Sequence, residues 1–140
     1  MKLGVKNVTV INPGCNYPIP INEEAKEFAK KIYGNASPKL ITISRLDGRK
    51  SHHNVMMTVK NLLPKFPNLK YISIGDGDEG NNLLRLRKAI GLEKNVEFIF
   101  KSTEQEKVAL LEQSDIFVMP SVIYKKSVEG FGITYIEAAS

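Results

Sequence analysis

Two glutamates separated by seven residues, with glycines after the first, lie near the carboxyl end of the chain. The segment reads Glu129-Gly130-Phe131-Gly132-Ile133-Thr134-Tyr135-Ile136-Glu137. The pattern from Phe131 to Ser140 predicts the opening of a helix, where glycines would let backbone N–H groups approach a phosphate closely. Glu137 could then accept hydrogen bonds from a sugar diol. The segment therefore predicts a site for a phosphorylated sugar-containing ligand, although the spacing alone also fits a glycine-containing helix entry and an exposed glutamate.

Two cations follow a β-branched run far upstream of these glutamates. Arg45 comes directly after the run 40–44, and Lys50 follows it closely. Arginine offers a planar fork suited to phosphate oxygens, and lysine offers a mobile point charge. Together with a helix start they could hold the phosphate groups of a ligand. The alternative interpretation is a pair of surface cations at the end of a strand.

These two segments together resemble the signature of retaining GT-B glycosyltransferases of family four, also known as group 1 glycosyl transferases. Glu129 and Glu137, with Gly-Phe-Gly after the first, resemble the family's paired glutamates. The run Ile43–Lys50 resembles its strand-end Arg-Leu followed by a lysine. The resemblance covers nearly the whole chain and corresponds to the donor-binding half of such an enzyme.

The resemblance implies a role for each residue of the two motifs. Arg45 and Lys50 would bind the diphosphate, Glu129 would hold the donor sugar, and Glu137 would take the ribose hydroxyls. The catalytic residues are thus expected to be Glu129, Arg45 and Lys50. The substrate-binding residues are expected to be Gly75, Lys101, Gly130, Phe131, Gly132, Ile133 and Glu137.

The order of apolar patterns predicts the fold. Strands are predicted at Leu40–Ser44, Leu69–Ile74, Val96–Phe100 and Ile116–Pro120. Helices are predicted at Glu23–Tyr33, Val55–Leu63, Leu83–Ile90 and Glu104–Gln113. Alternating strands and helices at this spacing predict an α/β, Rossmann-like parallel sheet with helices on both faces. Because ligands bind outside the carboxyl ends of such strands, Arg45, Gly75, Lys101 and Glu129 are expected at one edge of the sheet.

The two ends of the chain suggest a part of a larger protein. Residues 1–22 are predicted to form an interdomain strand (Val5–Ile11) and a linker, with Asn22 as a helix cap. Residues 23–140 are predicted to form a nucleotide-sugar-binding domain that is incomplete at its carboxyl terminus. Such a fragment is expected to bind a donor without turning it over, and an uncovered apolar flank predicts self-association.

Composition restricts the class of protein. Hydrophobic residues make up 42% and charged residues 25% of the chain, as in ordinary globular domains. The single cysteine, Cys15, cannot form an internal disulfide, and no apolar run is long enough to span a bilayer, so a cytoplasmic location is expected. The net charge of +5 fits a phosphate-bearing partner. Because the lysines are scattered rather than interleaved with aromatic residues, a nucleic-acid partner is not expected.

Several other features are given less weight. Asp76-Gly77-Asp78 imitates an Asp-x-Asp metal motif, but aspartate is common in glycine-rich turns. No metal or other cofactor is expected beyond a UDP-, GDP- or ADP-sugar donor. His52 and His53 are adjacent, so they would point in different directions on a helix, and both are expected at the surface. Ser51 stands where the family usually has glycine directly after the lysine. Phe100 stands where the family usually has glycine in the loop after the third strand, whose backbone commonly meets the nucleotide base, so the identity of the base stays open.

The sequence is consistent with three functions. The first is transfer of a hexose from a nucleotide diphosphate sugar to a glycan or lipid-linked acceptor, by a full-length protein that such an acceptor would bring to the membrane surface. The second is a non-catalytic nucleotide-sensing or interaction module of the same fold. The third is a nucleotide-sugar epimerase, which would share the sheet and the diphosphate site but not the paired glutamates.

Overall fold

A computed structural model describes residues 9, 14, 19–123 and 132–139 of the chain. Within these residues the strands are β1 (Lys39–Ile43), β2 (Lys70–Ile74), β3 (Val96–Ile99) and β4 (Ile116–Phe117). The helices are α1 (Glu23–Tyr33), α2 (His52–Leu62), α3 (Gly80–Ala89), α4 (Glu104–Glu112) and α5 (Ile133–Ala139), and a 3₁₀ turn at Gly48–Lys50 precedes α2.

The described strands form one parallel sheet in the order β3-β2-β1-β4. Lys39 pairs with Lys70 and Ile43 with Ile74, so β1 and β2 are in register over their full length. Four consecutive residues are buried in each of these strands, which is typical of parallel strands covered on both faces. The prediction of a Rossmann-like parallel sheet is confirmed.

Helices cover the two faces of the sheet separately. On one face, α2 and α3 contribute Met56, Val59 and Leu83 to a core that includes Tyr71. On the other face, α1 and α4 contribute Ala29 and Leu110. The chain therefore runs from β1 through β2 to β3 along one face, and then crosses by α4 to place β4 on the other side of β1. The strand order reverses between β1 and β4, and ligands bind at such a reversal in open α/β sheets.

Capping residues fix the starts of α1 and α4. Asn22 Oδ1 accepts a hydrogen bond of 2.9 Å from the N–H of Ala25, as predicted. Thr103 Oγ1 accepts from the N–H of Glu106, whose carboxylate in turn accepts from the N–H of Thr103 at 2.7 Å. This reciprocal pair satisfies two N–H groups that a helix start would otherwise leave unbonded.

The predicted boundaries of other elements were wrong. Helix α3 begins at Gly80, earlier than the predicted Leu83, because apolar spacing marks only the buried face and says little about a polar first turn. Helix α2 begins at His52 and includes most of the predicted segment Val55–Leu63. The predicted strand Ile116–Pro120 is shorter, ending at Phe117. The N–H of Val118 still donates to Ile41 O at 2.8 Å, but proline has no N–H with which Pro120 could extend the ladder.

Two other predictions concern parts of the chain where little is described. The strand predicted at Val5–Ile11 lies outside the described residues except for Thr9. The domain boundary after residue 22 therefore stays a prediction. In the described part of the chain, none of the helices is both long and apolar enough to cross a bilayer.

Candidate functional site

The loops that follow β1 and β2 are bonded to each other through their backbones. Ser44 N–H donates to Ile74 O, and Leu46 N–H donates to Asp76 O, each at 3.0 Å. Gly75 has a φ of +136°, and a Cβ at this position would overlap the carbonyl oxygen of Ser44 and lie 3.0 Å from its carbonyl carbon. The neighbouring loop thus requires a glycine here. That Gly75 also admits a nucleotide stays a prediction.

Arg45 and Lys50 lie at the carboxyl end of β1 in different surroundings. Arg45 is exposed, whereas Lys50 is only 7% exposed and occupies the last position of the 3₁₀ turn. The Asp47 carboxylate accepts a hydrogen bond of 3.1 Å from the N–H of Lys50, which fixes the turn. Lys50 is therefore not the surface cation of the alternative interpretation, while Arg45 is free to reach solvent or a ligand.

Met119 brings this turn close to α5. Its Sδ lies 3.4 Å from Lys50 Nζ and 3.9 Å from the Thr134 hydroxyl. The Tyr135 hydroxyl donates to the carbonyl oxygen of Met119, and the Tyr135 ring packs edge-on against Phe117 at 5.5 Å. The end of β1, the segment after β4 and the start of α5 thus converge at the strand-order reversal.

Ser51 occupies the position at which the family that the sequence resembles usually has glycine. Its φ and ψ are 58° and 32°, in the left-handed region. This conformation costs a residue with a Cβ roughly 1–2 kcal/mol, which explains why glycine suits the position. The Ser51 hydroxyl accepts a hydrogen bond of 2.7 Å from the Asn54 amide, and this bond helps to hold the start of α2.

His52 is buried at 2% exposure, so its predicted surface position was wrong. Its Nε2 lies 3.2 Å from the carbonyl oxygen of Arg45, and its Nδ1 lies 3.2 Å from Ser73 Oγ. A carbonyl oxygen can only accept, so Nε2 carries the hydrogen and Nδ1 accepts from Ser73. The imidazole thus ties the backbone of Arg45 to the interior of β2.

A chain of hydroxyl groups continues this network beneath the site. The Tyr71 hydroxyl, 3.2 Å from His52 Nδ1, donates to Thr42 Oγ1 at 2.9 Å, and Thr42 donates to the carbonyl oxygen of Val118. Burial raises the pKa of Tyr71 to about 12, so the hydroxyl keeps its hydrogen at neutral pH. The network joins α2, β2, β1 and the end of β4.

Burial of His52 predicts a pH dependence of stability. Desolvation lowers the pKa of His52, so the unfolded chain binds the proton more tightly than the folded chain does. The stabilising contribution is complete above the unfolded pKa of about 6.5 and is lost as the pH falls through the folded pKa. We expect the free energy of unfolding, measured by urea denaturation, to decrease between about pH 7.5 and pH 5.5.

The neighbouring histidine provides the control for this prediction. His53 is exposed, so His53→Gln is expected to keep the slope of stability against pH, whereas His52→Gln is expected to reduce it. An equal slope in the two variants would show that His52 is not the responsible group.

Glu137 faces α4 in the structure. Its Oε1 lies 3.6 Å from the Nζ of Lys107, and its side chain is 17% exposed. Its Oε2 is buried and has no hydrogen-bond partner among the described residues. A buried carboxylate oxygen without a donor is costly, so a group that supplied a donor to this atom would stabilise it.

Only some of the remaining predicted site residues are among the described residues. Lys101 is exposed just after β3, and Ile133 begins α5, preceded by Gly132 with a φ of +71°. The predictions for Glu129, Gly130 and Phe131 fall outside the described residues. The structure thus brings Arg45, Gly75 and Lys101 to one edge of the sheet, as the parallel strand order predicts, and Lys50 lies in the turn that follows Arg45.

Sequence reasoning missed three residues that shape this site. His52, Lys107 and Met119 act through partners that lie far away along the chain, to which local spacing gives no access. A lysine directly before the buried run Val108–Leu111 was the one available signal for Lys107.

Two further features do not add to the site. In the described part of the chain, no group of three or more His, Cys, Asp or Glu side chains is arranged to hold a metal. A groove of about 580 Å³ lies at the opposite edge of the sheet, before the strands begin, with Asn35, Lys70 and Asn95 among its lining. It is remote from the strand-order reversal and from Arg45.

Comparison with known proteins identifies the wider family. The chain is 30% identical over 139 residues to an uncharacterised glycosyltransferase of Methanocaldococcus jannaschii, covering 97% of this chain and 32% of that protein. The chain thus spans about a third of the length of this relative.

Solved structures share the fold. The C-terminal domain of the group 1 glycosyl transferase LpcC from Francisella tularensis superposes with a TM-score of 0.65 at 22% identity, covering 84% of this chain and 61% of that one. HepE of Anabaena, in a complex with UDP-glucose, gives a TM-score of 0.64 at 21% identity, covering 84% of this chain and 31% of that one. The family model described as glycosyl transferases group 1 matches residues 23–140, and since this is most of the chain, the chain belongs to that family.

Proposed function

We propose that this chain is the donor-binding part of a retaining glycosyltransferase that moves a hexose from a nucleoside diphosphate sugar to a glycan or lipid-linked acceptor. The observation that carries the proposal is that the end of β1, where Arg45 and Lys50 lie, meets the start of α5, the helix that bears Glu137, at the reversal between β1 and β4. Two cations and a carboxylate oxygen without a donor match the diphosphate and the ribose diol of one ligand.

The proposed chemistry is electrostatic. As the bond between the sugar and the diphosphate breaks, negative charge grows on the leaving phosphate. Arg45 and Lys50 would stabilise this charge from a fixed turn, without a metal, and fixed charges near a developing charge are effective because they need no reorganisation. Glu129 and the backbone of residues 130–133 would hold the donor sugar.

The proposal includes further parts of a longer protein, because the chain spans only 32% of the M. jannaschii relative. We expect the acceptor to bind another part of the protein, so the isolated chain would bind a donor without turnover. A lipid-linked acceptor would bring the whole protein to the membrane surface. The exposed apolar residues Ile116, Val122 and Ile123 make self-association of the isolated chain an expected side effect.

Calorimetric titration with UDP, GDP, ADP and their glucose conjugates tests donor binding. We expect one nucleotide to bind selectively, and Arg45→Ala and Glu137→Ala each to weaken binding about tenfold, the effect of one hydrogen bond to a charged group. Lys60→Ala, an exposed position on α2, is the control. No binding to the folded chain, or binding that both site variants leave unchanged, would count against the proposal.

The stereochemical part of the proposal needs a separate measurement. A retaining enzyme makes a product with the same anomeric configuration as its donor, which nuclear magnetic resonance of the product from the full-length protein would reveal. A product with the opposite anomeric configuration would show that the enzyme is not retaining, and would leave the proposed donor binding unaffected.

A further inference from the structure

Lys107 is unusually buried for a lysine. Its side chain is 16% exposed, and the next four residues of α4, from Val108 to Leu111, are all buried. Lysine is seldom buried unless its amine has a partner of opposite charge. The position of this amine therefore needs an electrostatic explanation.

Two carboxylates surround the amine, and they differ in environment. Glu104 Oε2 lies 2.6 Å from Lys107 Nζ, but Glu104 is 69% exposed and one turn away on the same helix. Exposed pairs of this kind contribute little to stability. Glu137 Oε1 lies 3.6 Å away on α5 and is shielded from solvent, so its interaction with the amine is screened much less.

The geometry of the Lys107–Glu137 pair leaves the carboxylate able to accept further hydrogen bonds. A separation of 3.6 Å is long for a hydrogen bond, so the lysine acts on Glu137 mainly through its charge. Oε2 is buried and has no partner among the described residues. A carboxylate with one oxygen unbonded is suited to accept hydrogen bonds from a pair of adjacent hydroxyl groups.

We propose that Lys107 is a positioning residue that holds the Glu137 carboxylate in the orientation that receives the ribose hydroxyls of the donor. This inference rests on the proposed function and deepens it, because it assigns recognition of the ribose to a pair of residues on two helices. Lys107 itself does not touch the ligand. Its removal should therefore affect only the part of the binding that depends on those hydroxyls.

The test compares two ligands that differ only in those hydroxyls. The nucleoside diphosphate selected in the titration above and its 2′,3′-dideoxy analogue are titrated into the parent chain and into Lys107→Met, Lys107→Arg and Glu104→Gln. We expect the parent to prefer the ribonucleotide about tenfold or more, as one or two hydrogen bonds to a charged group imply. Lys107→Met should reduce this preference to about twofold, with the affinity for the dideoxy analogue nearly unchanged.

The other variants separate positioning from general stability. Lys107→Arg keeps the charge and should keep the preference. Glu104→Gln removes the other carboxylate beside the same amine and should keep it too. Thermal unfolding monitors the fold of each variant, and Lys107→Gln, which suits a partly exposed helix position, replaces the methionine variant if that variant unfolds.

The outcomes distinguish this inference from the proposed function. If Lys107→Met weakens both ligands equally, or keeps the full preference of the parent, Lys107 does not position Glu137. If the folded parent binds both ligands equally well, ribose recognition by Glu137 is wrong, and the inference falls with it while donor binding stands. If the folded parent binds no nucleoside diphosphate, the donor site and the inference both fall.

Discussion

Gly75→Ala is expected to destabilise the fold by about 3–5 kcal/mol, from steric overlap and an unfavourable backbone conformation together. The added methyl group would overlap the carbonyl oxygen of Ser44, which belongs to a loop bonded to both sides of this glycine. Relief would require the ends of β1 and β2 to separate. Since domains of this size are stable by roughly 5–15 kcal/mol, urea denaturation should show a large decrease in the midpoint.

Gly91 is the matched control for this substitution. It also has a positive φ, of +73°, but a Cβ there would meet nothing within 4 Å. Gly91→Ala is therefore expected to cost only the conformational strain, roughly 1–2 kcal/mol. Equal destabilisation of the two variants would mean that the loop of Ser44 moves away from the added methyl group at no cost in free energy.

Lys50→Met is expected to weaken binding of the selected nucleoside diphosphate roughly 30- to 100-fold, more than Arg45→Ala. Lys50 is fixed by the 3₁₀ turn and largely shielded from water, so its charge is less screened than that of the exposed Arg45. Methionine keeps the length and apolar character of the stem and removes the charged amine, together with its contact to Met119 Sδ. Calorimetric titration measures the change directly.

Lys60→Met provides the control for the charge. Lys60 lies in the last turn of α2 and is exposed, so the net charge changes equally while the site is untouched. We expect its affinity to stay within about twofold of the parent, because exposed charges at a distance are screened by salt. If both variants lost a comparable amount of affinity, Lys50 would act only through the overall charge of the protein.

The fold could be predicted from the sequence because its signals are local and agree with one another. Strands β1 and β2 are buried on both faces, so each forms an apolar run, and Asn22 and Thr103 mark helix starts with side chains that accept from their own backbone. The parallel order then places the ends of the strands at one edge. Arg45, Gly75 and Lys101 could be assigned to that edge without coordinates.

The detailed surroundings of the site could not be predicted in this way. His52 follows polar residues and resembles a surface position, and only the folded chain brings Ser73 and Tyr71 to its ring. The ion pair of Glu137 with Lys107 joins two helices that no local pattern links. Gly75 was predicted as a substrate-binding residue, whereas the structure shows that its missing side chain makes room for the carbonyl group of Ser44.

The strand order has a consequence for how the domain assembles. Strands β1 and β2 pair along five residues, but β1 and β4 pair only at Leu40 with Ile116 and at Ile41 with Phe117. Contacts across this second junction join residues 76 positions apart, so they close the larger loop and carry the greater entropic cost. The junction should therefore form late in folding and open first in the native state. A donor that contacts both sides of this junction would hold β1 and β4 together. Part of the free energy of donor binding would then add to the stability of the whole domain.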